Sequence, residues 1–114
     1  MVFEYATNYS SGSTLYFVSF NAAGQAILTD GLSAEDWGTG DRNASDYAAT
    51  MAEIGDSGHY VANSNVVSGN MVVQRICLYL QAGDDPADSD KPLAQGERRV
   101  TEYMQWAVIV TDRS

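Results

Sequence analysis

The stretch Thr14-Leu15-Tyr16-Phe17-Val18-Ser19-Phe20, followed by Asn21-Ala22-Ala23-Gly24, decides the fold of this chain. Aromatic and β-branched residues occupy both alternating faces of residues 14–20, which predicts a central strand covered on both sides. The segment 21–24 predicts a tight hairpin turn in which Gly24 adopts a positive φ. Residues 25–29 then form the return strand, and Asp30-Gly31 ends it.

The other apolar stretches are also short and are separated by turn residues, a pattern typical of all-β sandwiches and barrels. Residues 58–63 predict a short strand, and residues 99–111 predict a last strand or hairpin. Residues 71–81 predict the longest clear strand, with an apolar face on its even positions and with Arg75 and Tyr79 on the other face. We therefore expect an all-β protein: a single antiparallel β-sandwich, Ig-like or jelly-roll-like, with six to eight strands in one domain over residues 1–114.

Two connecting segments carry helical signals. Ser33-Ala34-Glu35-Asp36 has the S-x-x-D form of a helix start, so we expect a short helical piece in the loop 31–46, ended by Gly38 and Gly40. Residues 45–55 conflict: Ser45 and several alanines favour a helix, whereas alternation over residues 47–53 favours a strand. We choose the strand because the resemblance described below favours it. Residues 82–92 contain both prolines and predict a loop.

Composition limits the function classes. The chain has 114 residues, 45% of them hydrophobic, which is enough for a core without a metal or disulfide. Its 15 acidic and 6 basic residues give a net charge of −9, which argues against nucleic-acid and anionic-membrane surfaces. Cys77 is the one cysteine and is expected to be a small buried hydrophobe. Neither a signal-peptide pattern nor an apolar run of about 20 residues is visible.

Candidate chemistry is sparse. His59 follows Asp56 and Ser57, but neighbours in a turn and strand seldom converge into a catalytic array. No P-loop or G-x-G-x-x-G motif occurs, so nucleotide chemistry has no support. Paired carboxylates for glycoside hydrolysis stay open among the many Asp and Glu residues, but a small sandwich lacks the deep cleft that this chemistry prefers. We therefore expect no enzyme activity, no catalytic residues and no cofactor. Acidic residues cluster twice, and both groups are expected to be solvated. The weak metal candidates, which lack D-x-D-x-D-G spacing, are Asp84, Asp85, Asp88 and Asp90, and the second group is Asp30, Glu35, Asp36, Asp41 and Asp46.

Aromatic residues offer a contact surface, since Trp and Tyr dominate interface hot spots. Trp37 lies in a polar loop and Trp106 in the last apolar segment, which makes them the best candidates. Stacking on sugar rings uses the same residue types, so carbohydrate binding stays open. The predicted binding or interface residues are Trp37, Tyr103, Met104, Trp106, Val108 and Val110.

Several segments, taken together and in order, resemble a family. They are Tyr5–Asn8, Gly12–Val18, Asn21–Gln25, Gly58–Ala62 and Val73–Ala87. Together they look like a small β-sandwich module of tailed-phage virion and tail-associated proteins and of uncharacterised bacterial proteins. That module has a TLY-x-x-V/I-x-NAAGQ hairpin and a V-x-LYLQAG-x-x-PA-x-x-D strand and loop. The resemblance covers roughly residues 5–99. Two departures are the lack of an aromatic residue after Gln25 and an extra apolar segment over residues 102–110.

The resemblance implies a non-enzymatic structural protein of a phage virion or similar assembly, as a capsid decoration, neck or tail component. Its partners would be further copies of itself or other virion proteins, and it would be made in the bacterial cytoplasm. The C-terminal strand, about 101–111, would then take part in subunit contacts. The alternative is a β-sandwich module that binds carbohydrate or protein.

Overall fold

A computed structural model describes residues 5–63, 65, 75–100 and 105–111, with side chains described as far as residue 96. These residues form ten strands, one short α-helix and one 3₁₀ turn. The strands are β1 (Tyr5–Asn8), β2 (Leu15–Phe20), β3 (Ala26–Ile27), β4 (Ala34–Glu35), β5 (Ala49–Thr50), β6 (Ala52–Glu53), β7 (His59–Ala62), β8 (Arg75–Leu80), β9 (Lys91–Val100) and β10 (Gln105–Thr111). The 3₁₀ turn spans Thr39–Asp41, and α1 spans Ala44–Tyr47.

The strands form two antiparallel sheets. The large sheet has seven strands in the order β10-β9-β8-β2-β3-β4, with β5 pairing beside β2. The small sheet has three strands in the order β1-β7-β6. At one end the sheets approach each other, because Cα atoms of β1 and β10 come within 8 Å. This arrangement confirms the predicted all-β sandwich.

Strand β2 lies at the centre of the large sheet and is buried along its whole length. Its odd-numbered residues face the small sheet, where Phe17 meets Tyr5 edge-on with ring centroids 5.0 Å apart. This inter-sheet core buries Tyr5, Leu15, Phe17, Ile27, Met51, Tyr60, Ala62, Ile76, Leu78 and Leu93. The prediction of a central strand apolar on both faces is therefore confirmed.

The even-numbered residues of β2 lie on the outer face of the large sheet. There Tyr16, Val18 and Phe20 form a second apolar cluster with Ala26, Tyr47 and Ala48. Tyr47 and Ala48 come from α1 and the residue after it, so the loop between β4 and β5 folds back over the outer face. This cover explains how a strand at the middle of one sheet is buried on both sides.

The β2–β3 hairpin forms as predicted. The Gly24 N–H donates to the Asn21 carbonyl at 3.0 Å, and Gly24 has a φ of 82°. The return strand is shorter than predicted, because only Ala26 and Ile27 of residues 25–29 pair as β3. Of the predicted strand 71–81, residues 75–80 form β8, with Ile76 and Leu78 buried as expected, and residues 71–74 lie outside the described part.

Residues 44–53 contain both predicted structures in succession. Asn43 caps α1, since its Oδ1 accepts from the Ser45 N–H and its own N–H donates to Asp46 Oδ2, both at 3.0 Å. Ser45 is therefore not the cap, and Tyr47 is helical rather than extended. The chain then enters the large sheet as β5 and leaves it for the small sheet as β6, with the Met51 N–H donating to the Leu15 carbonyl between them.

Two other expectations are wrong. The helix start at Ser33 is absent because Ala34 and Glu35 pair with β3 as β4, and the helical piece of this loop begins later, at Thr39. The loop predicted over residues 82–92 ends before Lys91, because β9 begins there. Pro92 therefore lies in a strand. Most of that strand precedes the segment 99–111 that was predicted as the last strand or hairpin. Pro92 is tolerated beside a register shift between Leu78 and Tyr79. The described part contains no helix that is long and apolar enough to cross a membrane.

Candidate contact surface

The outer face of the large sheet holds an aromatic group near the end of β2. The Trp37 ring lies 4.6 Å from that of Tyr47 and 6.5 Å from that of Phe20, measured between centroids. The Arg75 guanidinium lies over the Phe20 ring, 4.9 Å from its centroid. We call Phe20, Trp37, Tyr47 and Arg75 the Trp37 cluster. Trp37 remains 39% exposed, so the cluster presents aromatic surface to solvent.

Hydrogen bonds of the Tyr47 hydroxyl hold one side of the Trp37 cluster in place. The Tyr47 hydroxyl donates to Glu35 Oε2 at 3.1 Å and accepts the Gly38 N–H at 3.1 Å. Burial, reinforced by the bond to Glu35, raises the pKa of Tyr47, so the hydroxyl stays protonated as a donor. Arg42 Nη1 also reaches Glu35, at 2.6 Å from Oε1 and 2.7 Å from Oε2. Glu35 thus joins the two ends of the loop that carries Trp37.

The loop between β8 and β9 covers another part of the outer face. Asp90 is buried, and Asp88 Oδ1 accepts the first N–H of α1, at Ala44, with a length of 2.8 Å. These two weak metal candidates therefore bind protein donors, while Asp84 and Asp85 lie exposed at the tip of the loop. Within the ranges with described side chains, no group of three or more His, Cys, Asp or Glu residues is placed to hold a metal ion.

A less covered strip follows β8 and β9 across the same face. We call Arg75, Cys77, Tyr79, Pro92 and Gln95 the β8–β9 strip. Arg75, Pro92 and Gln95 are exposed, and Cys77 and Tyr79 are half-buried. The Tyr79 ring stacks on Tyr16 of the neighbouring strand at 5.4 Å between centroids. Cys77 is a free thiol that is half-buried rather than buried as expected, and it packs against the outer apolar cluster. Burial raises the pKa of this thiol.

Strand register extends this face to β10. Val110 lies opposite Gln95, which lies opposite Cys77, and Val108 lies opposite Glu97, which lies opposite Arg75. Because alternate positions of a strand share a face, positions 106, 108 and 110 belong to the outer face. Four predicted interface residues, Trp37, Trp106, Val108 and Val110, are therefore on one face of the large sheet. Tyr103 and Met104 lie outside the described residues.

Comparison with models of known protein families, with curated proteins and with solved structures found no match.

The surroundings of His59 give its ring a structural partner. Nδ1 lies 2.8 Å from Asn8 Oδ1 on the neighbouring strand. The Ser57 hydroxyl donates to the Ile54 carbonyl at 2.6 Å and accepts the backbone N–H of His59. The ring of His59 and the hydroxyl of Ser57 thus have separate hydrogen-bond partners, and their bonds tie together β1 and the β6–β7 turn.

The sequence did not indicate that Phe20 and Arg75 take part in the Trp37 cluster. Phe20 is the last residue of a strand that was predicted to be buried. Arg75 lies next to Phe20 only because β8 pairs with β2, and the sequence does not show that pairing. The one available signal was the alternation of β8, which placed Arg75 and Tyr79 on a common face. Glu35 and Arg42 were missed as a pair because both lie in a loop whose path the sequence does not fix.

Proposed function

We propose that this chain is a non-enzymatic structural protein of a phage virion or similar assembly, which acts through subunit interfaces as a capsid decoration, neck or tail component. The observation that carries the proposal is β10. It is a seven-residue strand that ends the large sheet and, by register, continues the outer face that carries the Trp37 cluster and the β8–β9 strip. A sheet face with aromatic and apolar positions over this width suits burial against another chain. The resemblance of residues 5–99 to phage modules supports the same proposal.

The net charge of the chain suits a subunit that stays unassembled in solution before it enters a particle. A net charge of −9 keeps free copies apart in solution and favours a basic partner surface. The exposed Trp37 ring, Pro92 and the half-buried Tyr79 provide apolar area that assembly would bury, while Arg75 and Gln95 offer polar groups beside it.

The experiment is to follow the chain through virion purification. Particles released by the natural host would be separated on a density gradient, washed with high salt, and probed for the chain with a specific antibody. We expect the chain to sediment with the particles in a fixed ratio to the other virion proteins. Its presence only in the unsedimented fraction would overturn the proposal.

A second candidate function is carbohydrate binding, which the Trp37 cluster favours. An exposed Trp ring backed by Tyr47 offers a flat apolar surface, and the nearby pair of Glu35 and Arg42 offers hydrogen-bonding groups for hydroxyls. A glycan array followed by calorimetry tests this function. Trp37→Ala is expected to abolish the signal. Leu32→Ala, at a position 61% exposed and outside the cluster, is the matched control and should leave the signal unchanged.

A further inference from the structure

We propose that the Trp37 cluster, together with the carboxylates of Asp36 and Asp41, binds an arginine-bearing segment of a partner protein. In this arrangement a guanidinium of the partner stacks on the exposed Trp37 ring and pairs with the two carboxylates. The inference rests on the proposed assembly function, since it names the partner chemistry that this part of the outer face would bury.

The first argument is that the Trp37 side chain is presented in a fixed position. In the β-turn around it, the Thr39 N–H and hydroxyl both donate to the Asp36 carbonyl, at 3.1 and 2.6 Å. Gly38 takes the left-handed conformation of the third turn position, with φ 87° and ψ 5°, and its N–H donates to the Tyr47 hydroxyl. An aromatic side chain that is already ordered loses little entropy on binding, which suits an interface anchor.

The second argument is that part of the Trp37 ring stays open to solvent. The ring packs against Tyr47 and Phe20, which are both buried, while Trp37 keeps 39% of its surface exposed. Among aromatic side chains, Trp binds cations most strongly through its ring. The cluster already contains one contact of this kind, since the Arg75 guanidinium lies 4.9 Å from the centroid of the Phe20 ring. The open surface of Trp37 can take a second guanidinium in the same way.

The third argument is the charge of the loop that carries the tryptophan. Residues 30–46 contain five acidic residues and one basic residue, which gives this segment a net charge of −4, whereas the whole chain has −9. The basic residue, Arg42, is compensated because its guanidinium forms an ion pair with Glu35 at 2.6 Å. The loop therefore offers an incoming partner a surplus of negative charge.

Two carboxylates of this loop are available for pairing. Asp36 and Asp41 are exposed, and their side chains form neither a hydrogen bond nor an ion pair with any other residue in the described part of the chain. The ion pair between Glu35 and Arg42 closes the loop, so both carboxylates lie on the same short closed segment as Trp37. An aromatic anchor and uncompensated negative charge are thus presented together.

These features select the chemistry of the partner. A guanidinium is planar, so it can lie on an aromatic ring while its N–H groups point towards carboxylates. Positive charge on the partner also speeds association with an acidic surface at low salt. Partners that carry phosphate or many carboxylates are repelled by Asp36 and Asp41. Carbohydrate binding would use the same Trp37 ring but would not depend on these charges, so the two uses can be distinguished.

The test is the binding of a fluorescently labelled peptide of alternating glycine and arginine to the full chain, followed by anisotropy at low ionic strength. Trp37→Ala should weaken binding about threefold to tenfold, and Trp37→Phe, which keeps a ring, should weaken it less. Leu32→Ala, at an exposed apolar position outside the cluster, is the matched control and should leave binding unchanged. A peptide of alternating glycine and lysine should bind more weakly, because it has the charge without the planar group.

Charge variants separate this site from a general attraction to an acidic chain. Asp36→Asn and Asp41→Asn should each weaken binding, by up to about fivefold, and Asn tolerates the φ of 65° at position 41 as Asp does. Asp56→Asn removes the same charge from an exposed position in the β6–β7 turn and should have a smaller effect than either. Arg75→Gln should not weaken binding, because it removes a like charge. Equal effects of the three Asp→Asn variants would overturn the inference.

A second measurement keeps the inference open to refutation if Trp37→Ala misfolds. The same arginine peptide, carrying a photoreactive benzophenone, is crosslinked to the wild-type chain, and the adduct is located by mass spectrometry after digestion. We expect the adduct within residues 35–47. Adducts spread over the whole chain, or concentrated at the exposed Asp84 and Asp85, would overturn the inference.

The two proposals fail in different ways. Chain that binds the peptide through Trp37 but is absent from virions would overturn the virion function and leave the arginine site intact. Chain that is present in virions but binds the peptide equally well with and without Trp37 would overturn the inference alone. A glycan bound at Trp37 by chain that does not bind the peptide would overturn the inference in favour of the second candidate function.

Discussion

The Tyr16 hydroxyl donates a 2.7 Å hydrogen bond to Asp90 Oδ2, across 74 residues of sequence. Asp90 is only 5% exposed, and its carboxylate also accepts the N–H groups of Ala87 at 2.9 Å and Ala82 at 3.2 Å. Three donors around one buried carboxylate fix the loop between β8 and β9 to the outer face of β2. Through Asp88, the same loop also holds the start of α1.

We expect loss of this carboxylate to destabilise the fold more than loss of the phenol. Asp90→Ala leaves three donors without their acceptor and should lower the free energy of unfolding by at least about 3 kcal/mol. Tyr16→Phe removes one bond to a charged group and should cost about 1.5–3 kcal/mol. Urea unfolding measures both changes. Asp85→Asn, at an exposed position of the same loop, is the control, and an equally large loss there would contradict the assignment.

The same carboxylate predicts a sensitivity to acid. Burial raises the pKa of Asp90, but the bonds from Tyr16, Ala87 and Ala82 lower it more, so its pKa lies below the usual 3.8. Because the folded-state pKa is depressed, the stabilisation is complete above the unfolded pKa and disappears as pH falls through the folded pKa. The stability difference between wild type and Asp90→Asn should therefore shrink below pH 3.8. Urea midpoints between about pH 6 and pH 2 measure it; a constant difference would refute the assignment.

The parts of the fold that the sequence predicted are those set by local signals. Strand β2 and its hairpin follow from apolar residues on both faces and from a turn in which Gly24 takes a positive φ. The apolar face of β8 follows from strict alternation. In these segments the pattern within about ten residues is sufficient, because the strand period and the turn chemistry are both short-range.

The parts that sequence reasoning missed depend on distant partners. Strand β9 begins with Lys-Pro and contains a glycine, so its local propensity is poor, and pairing with β8 and β10 makes it a strand. The acidic loop was expected to be solvated, but Asp90 is buried because Tyr16 lies beneath it. Likewise, Trp37 was identified from its type alone, while its contacts with Phe20 and Tyr47 depend on the fold of the whole loop.

Gly58 provides a test of the contact between β1 and the β6–β7 turn. Its φ is 76°, and a Cβ there would lie 2.6 Å from the carbonyl oxygen of Tyr9. Gly58→Ala should therefore lower the free energy of unfolding by about 2–4 kcal/mol, from the left-handed backbone and the clash together. Gly83→Ala, where a Cβ meets nothing within 4 Å, should change it by less than about 0.5 kcal/mol. Thermal or urea unfolding distinguishes the two, and similar values would contradict this account.

Cys77 tests whether the β8–β9 strip is packed as described. The thiol is half-buried on the outer face, and burial raises its pKa despite the opposing effect of Arg75. Since the thiolate is the reactive form, the native protein should react with a disulfide reagent at pH 7.5 at least about tenfold more slowly than the urea-unfolded chain. Arg75→Gln should slow the native reaction further, because it removes the nearby charge that lowers the pKa. Equal rates in the folded and unfolded chains would show that Cys77 is not shielded by the outer face.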